Sequence, residues 1–120
     1  DHIAKEHAAL DAGDNGRALN LSGRFHIEIA RIADQDTIGR FIETLIARSS
    51  LVIALYWRRE SALCESHAHH ALVQAIADGD EQNAEELMQS HLVDLNSALD
   101  FRDRPTQALN LRELLQATDQ

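Results

Sequence analysis

The sequence contains few residues that break or bend a chain, with one proline and five glycines among 120 residues. Connections between structural elements must therefore be few and short. Aromatic residues make up only 4% of the chain, whereas alanine, leucine, isoleucine, glutamate, glutamine and arginine dominate it. That balance favours helix over sheet. The hydrophobic share of 44% excludes a disordered chain and is sufficient for one core.

Cysteine and long apolar runs are also scarce. Cys64 is the single cysteine, which excludes a disulfide within the chain and suits the reducing cytoplasm. The longest apolar run, residues 51–57, is far too short to span a bilayer. No basic segment followed by an apolar run opens the sequence, so no signal peptide is predicted. The expected localisation is cytoplasmic, without a membrane partner.

Positive charge is in deficit. Eleven lysines and arginines stand against twenty aspartates and glutamates, which gives a net charge of −9. A surface that binds duplex DNA needs clustered positive charge to displace counterions. Direct DNA binding by this chain is therefore not expected. Histidine is the residue in surplus, with seven copies, and the placement of these histidines on the predicted helices is the most informative feature of the sequence.

The hydrophobic periodicity predicts consecutive amphipathic helices, and no window alternates with period two for long enough to be a strand. Gly13 and Gly79 end the first and fourth helices, while Asp36 and Asp80 are candidate N-caps for the third and fifth. We therefore predict an all-α antiparallel bundle of about six helices that forms a single domain over residues 1–120. The predicted helices cover residues 2–12, 17–33, 37–58, 61–77, 81–101 and 107–116.

Three histidines fall within the apolar faces of three different helices: His26, His69 and His91. Burying three unpaired imidazoles would cost roughly 1–3 kcal/mol each. One divalent transition metal would satisfy all three, since imidazole nitrogens are good ligands and facing helices can build such a site. The alternative is that each histidine is a core residue hydrogen-bonded to a carbonyl or hydroxyl. Because no two of them share a short motif, spacing alone leaves both interpretations open.

The other histidines are predicted to be peripheral. His67 and His70 fall on the flank of the fourth helix and are expected to be solvated, with His70 the candidate to support a neighbouring ligand. His7 shares a stripe with Ile3 and Leu10 and is expected to pack rather than to ligate.

Three segments carry a specific joint spacing: Phe-His in LSGRFHIEIARIADQD (21–36), H-x5-AI-x2-GD in SHAHHALVQAIADGD (66–80), and A-x3-M-x2-HL in AEELMQSHL (84–92). Together they resemble the effector-binding C-terminal domain of GntR-type transcription regulators, the FCD class of the FadR subfamily. The resemblance covers about residues 17–100, which is most of the chain.

This resemblance implies a helical bundle that dimerises and senses a small molecule, commonly an organic acid. It also implies a divalent metal, zinc or nickel, held by three histidines and by an aspartate one turn before the first. The histidines carry over to His26, His69 and His91, the same three that periodicity selects. The aspartate does not, because Ser22 occupies its position, and Ala68 replaces a glutamate that often precedes the second histidine. The site would be a three-histidine site completed by water or effector, or it would hold no metal.

The resemblance also implies a winged helix-turn-helix domain before the sensor, through which a homodimer contacts operator DNA. This chain is expected to be the sensor alone. Two residues are candidates for effector binding. Ser22 faces the predicted cavity, and Arg48 on the third helix could pair with a carboxylate in bidentate fashion.

Two other classes remain open from the sequence. The first is a metal-free structural or dimerising bundle with all three histidines in ordinary hydrogen bonds. The second is a hydrolase in which a three-histidine metal activates water, with Glu65, one turn before His69, as the candidate base. We predict a regulator and not an enzyme.

Overall fold

The computed structural model describes residues 1–56 and 59–99, with side chains described for residues 1–56 and 66–99. Within these residues the chain forms five helices and no strand, which confirms the all-α prediction. The sixth predicted helix, 107–116, lies outside the described residues. The other five agree with the observed helices to within a few residues at each end. The observed helices are α1 (His2–Asp11), α2 (Asn15–Ile32), α3 (Asp36–Tyr56), α4 (Arg59–Ala77) and α5 (Glu81–Ser97).

Helices α1 and α4 end in the same way, with a left-handed glycine followed by an aspartate that caps the next helix. Gly13 and Gly79 both have φ of 70°. The side chain of Asp14 accepts a hydrogen bond from the backbone amide three residues later at 3.0 Å, and Asp80 does the same at 3.1 Å. These caps are local chemistry, which is why the sequence predicts the boundaries well. Asp36 differs slightly from its prediction, since it is the first residue of α3.

Replacing Gly79 with alanine is expected to destabilise the domain by about 1 kcal/mol, because an L-residue in the left-handed region is strained. No atom lies within 4 Å of the added Cβ to offset that strain by new contacts. Urea unfolding measures the change. The matched control is Gly16→Ala in the first turn of α2, which should be neutral or stabilising because alanine favours helix. Equal losses of unfolding free energy in both variants would contradict the requirement for glycine at the left-handed position of this turn.

Helix α2 holds the bundle together, since it packs against α1, α3 and α4. Helix α4 in turn contacts α1, α2 and α5. Two local features set these packings. His2 Nε2 donates to the carbonyl of Leu21 at 2.8 Å, which ties α1 to α2. On the other side, Gly23 lets α3 approach closely, because a Cβ there would lie 2.9 Å from Cγ2 of Ile46. The space between α1, α2, α4 and α5 is therefore the interior of the bundle.

The buried face of α4 differs in part from the predicted one. Helical spacing predicts an apolar face on which Leu72, Val73 and Ile76 accompany His69, but Val73 and Ile76 are exposed, while Leu72 and Ala75 are buried. The reason is tertiary: α4 faces α1 and α2 along a row with a spacing of three residues. That row consists of Ser66, His69, Leu72 and Ala75.

Helix α3 carries much exposed apolar surface. Phe41, Ile38 and Leu45 are between 49% and 64% exposed, because α3 lies at one side of the bundle and packs against α2. Only part of the apolar face that the sequence predicts for this helix is therefore covered. As for membrane spans, none of the helices in the described part of the chain is long and apolar enough to cross a bilayer.

Candidate metal centre

The three histidines selected from periodicity converge on one point. His26 from α2, His69 from α4 and His91 from α5 offer ring nitrogens that all lie within 4.8 Å of one another. The Nε2 atoms of His69 and His91 are 3.0 Å apart, and those of His91 and His26 are 3.4 Å apart. His69 is fully buried and His91 is 4% exposed. The structure therefore brings together, inside the bundle, three groups that lie up to 65 residues apart in sequence.

A carboxylate lies on the opposite side of His69. The two carboxylate oxygens of Glu6, on α1, are 3.0 and 3.1 Å from Nδ1 of His69, and Glu6 itself is 2% exposed. An ionised carboxylate only accepts hydrogen bonds, so beside ionised Glu6 the proton of this contact lies on Nδ1 of His69. In neutral His69 the lone pair is then on Nε2, which faces the other two histidines.

Two-centre hydrogen bonds among the three rings cannot pair all three Nε2 atoms. If His91 carries its proton on Nε2 it can donate to His69, but it then has no lone pair for a proton from His26. If His91 carries its proton on Nδ1, two lone pairs face each other at 3.0 Å. A metal cation accepts all three lone pairs at once. Tetrahedral zinc with Zn–N bonds of about 2.0–2.1 Å separates its ligand nitrogens by about 3.3 Å, close to the 3.0 and 3.4 Å that separate Nε2 of His91 from those of His69 and His26. The donor set therefore fits a divalent transition metal.

The rings are held in place by their packing. The ring of Phe25, which is buried, stacks on that of His69 with centroids 4.0 Å apart and an interplanar angle of 20°. His26 and His91 stack on each other at 5.3 Å, and both meet His69 edge to face. Phe25 and His26 are adjacent in sequence and both contribute to the centre. Phe25 packs against the ring of His69, and His26 is a ligand candidate. Fixed rings of this kind favour metal binding because little freedom remains to be lost.

His26 and His91 are electrically neutral at pH 7. Burial, together with the nearby rings of His69 and His91, lowers the pKa of His26 to about 3. Burial, together with the nearby ring of His69, lowers the pKa of His91 to about 4. Neutral imidazole is the form that ligates metals, so protons compete little with a metal at this site near neutral pH.

These lowered pKa values predict an acid-sensitive domain. In the unfolded chain both histidines protonate near pH 6.5, whereas in the folded chain they remain neutral until about pH 4 or below. The unfolded state therefore binds more protons between these values, and stability falls as pH drops through that window. We expect the urea midpoint of the metal-free protein to decrease when the pH is lowered from about 7.5 to about 5.5.

The control for this pH dependence is a matched pair of variants. His91→Gln should flatten the dependence, since it removes one of the two shifted groups. His70→Gln should leave it unchanged, because His70 is exposed. A free energy of unfolding that stays constant over this pH range would contradict the neutral, buried state of the histidines.

The two predicted effector residues have different surroundings. Ser22 is buried and lies one turn before His26 on α2. Arg48 lies on α3 with its side chain exposed. The assignment of both residues to effector binding remains a prediction.

The peripheral histidines confirm one prediction and correct another. His7 is exposed and does not pack inside with Leu10, and its ring meets that of His67 edge to face at 6.5 Å. His67 and His70 are exposed, as predicted, and the side chain that contacts Nδ1 of a ligand candidate is Glu6. Sequence reasoning missed Glu6 because a charged residue in a short amphipathic helix normally faces solvent. The side chain of Glu65, the candidate base of the hydrolase alternative, lies outside the described residues.

The fold and the centre define a class: an all-α domain with a buried three-histidine cluster that fits a metal. A family model described as FCD domain matches residues 1–94. The chain therefore belongs to the FCD family, the effector-binding C-terminal domain of GntR-type regulators, as the three sequence segments predict. This family belongs to transcription regulators, which are generally not enzymes. No curated protein and no solved structure gives a significant match to the chain.

Proposed function

We propose that this chain senses a small organic acid through a divalent metal, zinc or nickel, held by His26, His69 and His91. The observation that carries the proposal is the convergence of three Nε2 atoms that two-centre hydrogen bonds among the rings cannot all pair. When bound, the metal supplies a Lewis-acidic position that an effector carboxylate can occupy. The metal-free structural bundle is less well supported, because two-centre hydrogen bonds among the rings would leave at least one of these nitrogens unpaired within the cluster.

In this proposal Ser22 lies at the position where the resemblance expects an aspartate ligand. A serine hydroxyl is a weaker ligand than a carboxylate, so three protein ligands leave a fourth position open, as in zinc sites that exchange their water. Ser22 is then placed to hydrogen-bond the effector, and the guanidinium of Arg48 is proposed to pair with its carboxylate. An effector that occupies this position changes the bundle only if it binds two conformations unequally.

Regulation is proposed to act through the dimer. A homodimer whose geometry depends on the effector would present its DNA-binding domains at a spacing that fits or misses the operator half-sites. The net charge of −9 supports an arrangement in which a separate domain, and not this acidic chain, binds the operator DNA. The apolar row on α3, defined by Ile38, Phe41 and Leu45, supports a contact with a second copy, since such a row is costly to leave in water.

The experiment that tests the metal site is elemental analysis of the untagged protein, before and after reconstitution with zinc or nickel. We expect about one metal ion per chain. Acetate, succinate and citrate then serve as carboxylate probes in thermal shift assays of the metal-loaded and metal-free protein. A stabilisation that requires the metal supports the proposal, and Arg48→Gln should reduce it while Arg40→Gln, also exposed on α3, should not. A protein that takes up no metal would overturn it.

A dimer prediction follows from the apolar row. Replacing Leu45 with glutamate should shift the protein from dimer to monomer in sedimentation analysis, because a charge in an apolar interface is desolvated without a partner. The expected loss of dimer affinity is at least about tenfold, or 1.4 kcal/mol. Glu43→Gln, on an exposed polar position of the same helix, is the control. A wild-type chain that is monomeric at all concentrations would contradict the prediction.

A further inference from the structure

Glu6 is a buried carboxylate that no sequence motif explains. Its side chain is 2% exposed, and both of its oxygens approach Nδ1 of His69, within a pair that lies 63 residues apart in sequence. The preceding residue in α1, Lys5, does not share this environment, because it is exposed and pairs with the exposed Asp1 at 3.5 Å. Burying a carboxylate is costly, so its placement against a fully buried ring calls for a physical explanation.

We propose that Glu6 is the positioning residue of the metal centre: it holds His69 as the Nδ1–H tautomer and aims its Nε2 lone pair at His26 and His91. The part of this statement that concerns a metal rests on the proposed function. The geometry supports it directly, since the carboxylate accepts the Nδ1 proton while Nε2 of the same ring is 3.0 Å from Nε2 of His91. A carboxylate behind a ligating histidine fixes the tautomer and raises the basicity of the ring.

Glu6 also supplies the negative charge that the ligand set lacks. Among the described residues, the group able to share a metal consists of three histidines and no carboxylate. Three neutral imidazoles leave the full charge of a divalent cation in a buried site. Glu6 offsets part of that charge from the far side of His69, where it is close enough to act electrostatically but is directed away from the metal position.

The Phe25 ring completes the positioning of His69. It stacks on one face of the imidazole with 4.0 Å between centroids. This packing restricts rotation of the His69 ring out of the orientation in which Nδ1 contacts Glu6. Helix α1 is in this way linked to the centre through one side chain, although it contributes no ligand.

Two variants separate the charge of Glu6 from its hydrogen bond. Glu6→Gln keeps an oxygen that accepts the Nδ1 proton but removes the charge. Glu6→Met keeps the length of the side chain and removes both. Asp11→Asn, an exposed acid on the same helix, is the matched control. Circular dichroism confirms the helical fold of each variant before binding is measured.

The first readout is the ring tautomer of His69 in the metal-free protein, from its ¹⁵N chemical shifts at a pH where the ring is neutral. The proton is expected on Nδ1 in the wild type and in Glu6→Gln, and on both nitrogens in exchange in Glu6→Met. The second readout is the affinity for Co²⁺, followed by its visible absorption. It is expected to fall about 10-fold in Glu6→Gln and about 100-fold in Glu6→Met, and to be unchanged in Asp11→Asn.

A wild-type His69 with its proton on Nε2, or a Glu6→Met protein that folds and binds Co²⁺ as tightly as the wild type, would overturn the role of Glu6. If Glu6→Met does not fold, the Co²⁺ affinity of Glu6→Gln is the deciding measurement. An affinity equal to that of the wild type would then overturn the role of Glu6. A wild-type protein that binds no Co²⁺ contradicts the metal site itself, whereas the tautomer measurement still decides whether Glu6 orients His69. The two failures are therefore distinguishable.

Discussion

Replacing His91 with alanine is expected to weaken metal binding by roughly 1,000-fold or more, about 4 kcal/mol at 1.4 kcal/mol per tenfold. Two imidazoles remain, but the nitrogen that lies between those of His69 and His26 is gone. Because His91 contributes to the site from α5, its loss also removes the link that a metal would make between this helix and α2. Titration with Co²⁺ or Zn²⁺ measures the affinity, and elemental analysis measures the stoichiometry.

The controls for this prediction come from α4. His67→Ala and His70→Ala remove histidines that are exposed, so both variants should keep the wild-type metal content. His91→Ala is preferred to His69→Ala as the first test, because removing His69 would also leave the buried carboxylate of Glu6 without its partner. That variant should lose metal and also about 3–5 kcal/mol of stability. Wild-type affinity in His91→Ala would show that the cluster is not the site.

Replacing Phe25 with alanine is expected to destabilise the domain by about 3–5 kcal/mol, the usual cost of removing a buried aromatic ring. Phe25 is 4% exposed and lies at the junction of the core and the centre, where it stacks on His69. The substitution removes buried apolar area and leaves a cavity next to a polar cluster. Since the stability of a domain of this size is about 5–15 kcal/mol, the variant should be close to unfolding at 37 °C.

Urea unfolding checks the size of this loss. Phe25→Leu should cost less than about half as much, because it keeps most of the apolar volume. Val93→Ala is the surface control and should change the free energy of unfolding by less than about 0.5 kcal/mol, since Val93 is exposed. A loss in Phe25→Ala similar to that in Val93→Ala would contradict the packing of Phe25 against the centre.

Helix positions and the identity of the three histidines could be predicted from the sequence because both depend on short-range rules. The Gly-Asp pairs at residues 13–14 and 79–80 combine a left-handed turn with an N-cap, and neither needs a distant partner to form. Each histidine lies among apolar residues at helical spacing, which assigns it to an inward face without reference to another helix.

The depth of burial along those faces could not be predicted in the same way. Periodicity defines an apolar face but not the neighbour that covers it. Ile76 on α4 and Phe41 on α3 belong to apolar faces and are nevertheless exposed. The reason is that α4 directs the row from Ser66 to Ala75 toward α1 and α2, whereas α3 packs against α2. The packing partners, and not the pattern, decide which part of a face is inside.

The sequence by itself determined the helical class, the helix ends and the inward placement of His26, His69 and His91. Only the tertiary structure decided that Nε2 of His91 lies 3.0 and 3.4 Å from those of His69 and His26, and that the Glu6 carboxylate contacts Nδ1 of His69. The physical reason is the range of the interactions. Caps and helical faces arise within a few residues, whereas a hydrogen bond between side chains 63 residues apart exists only after α1, α2, α4 and α5 have packed.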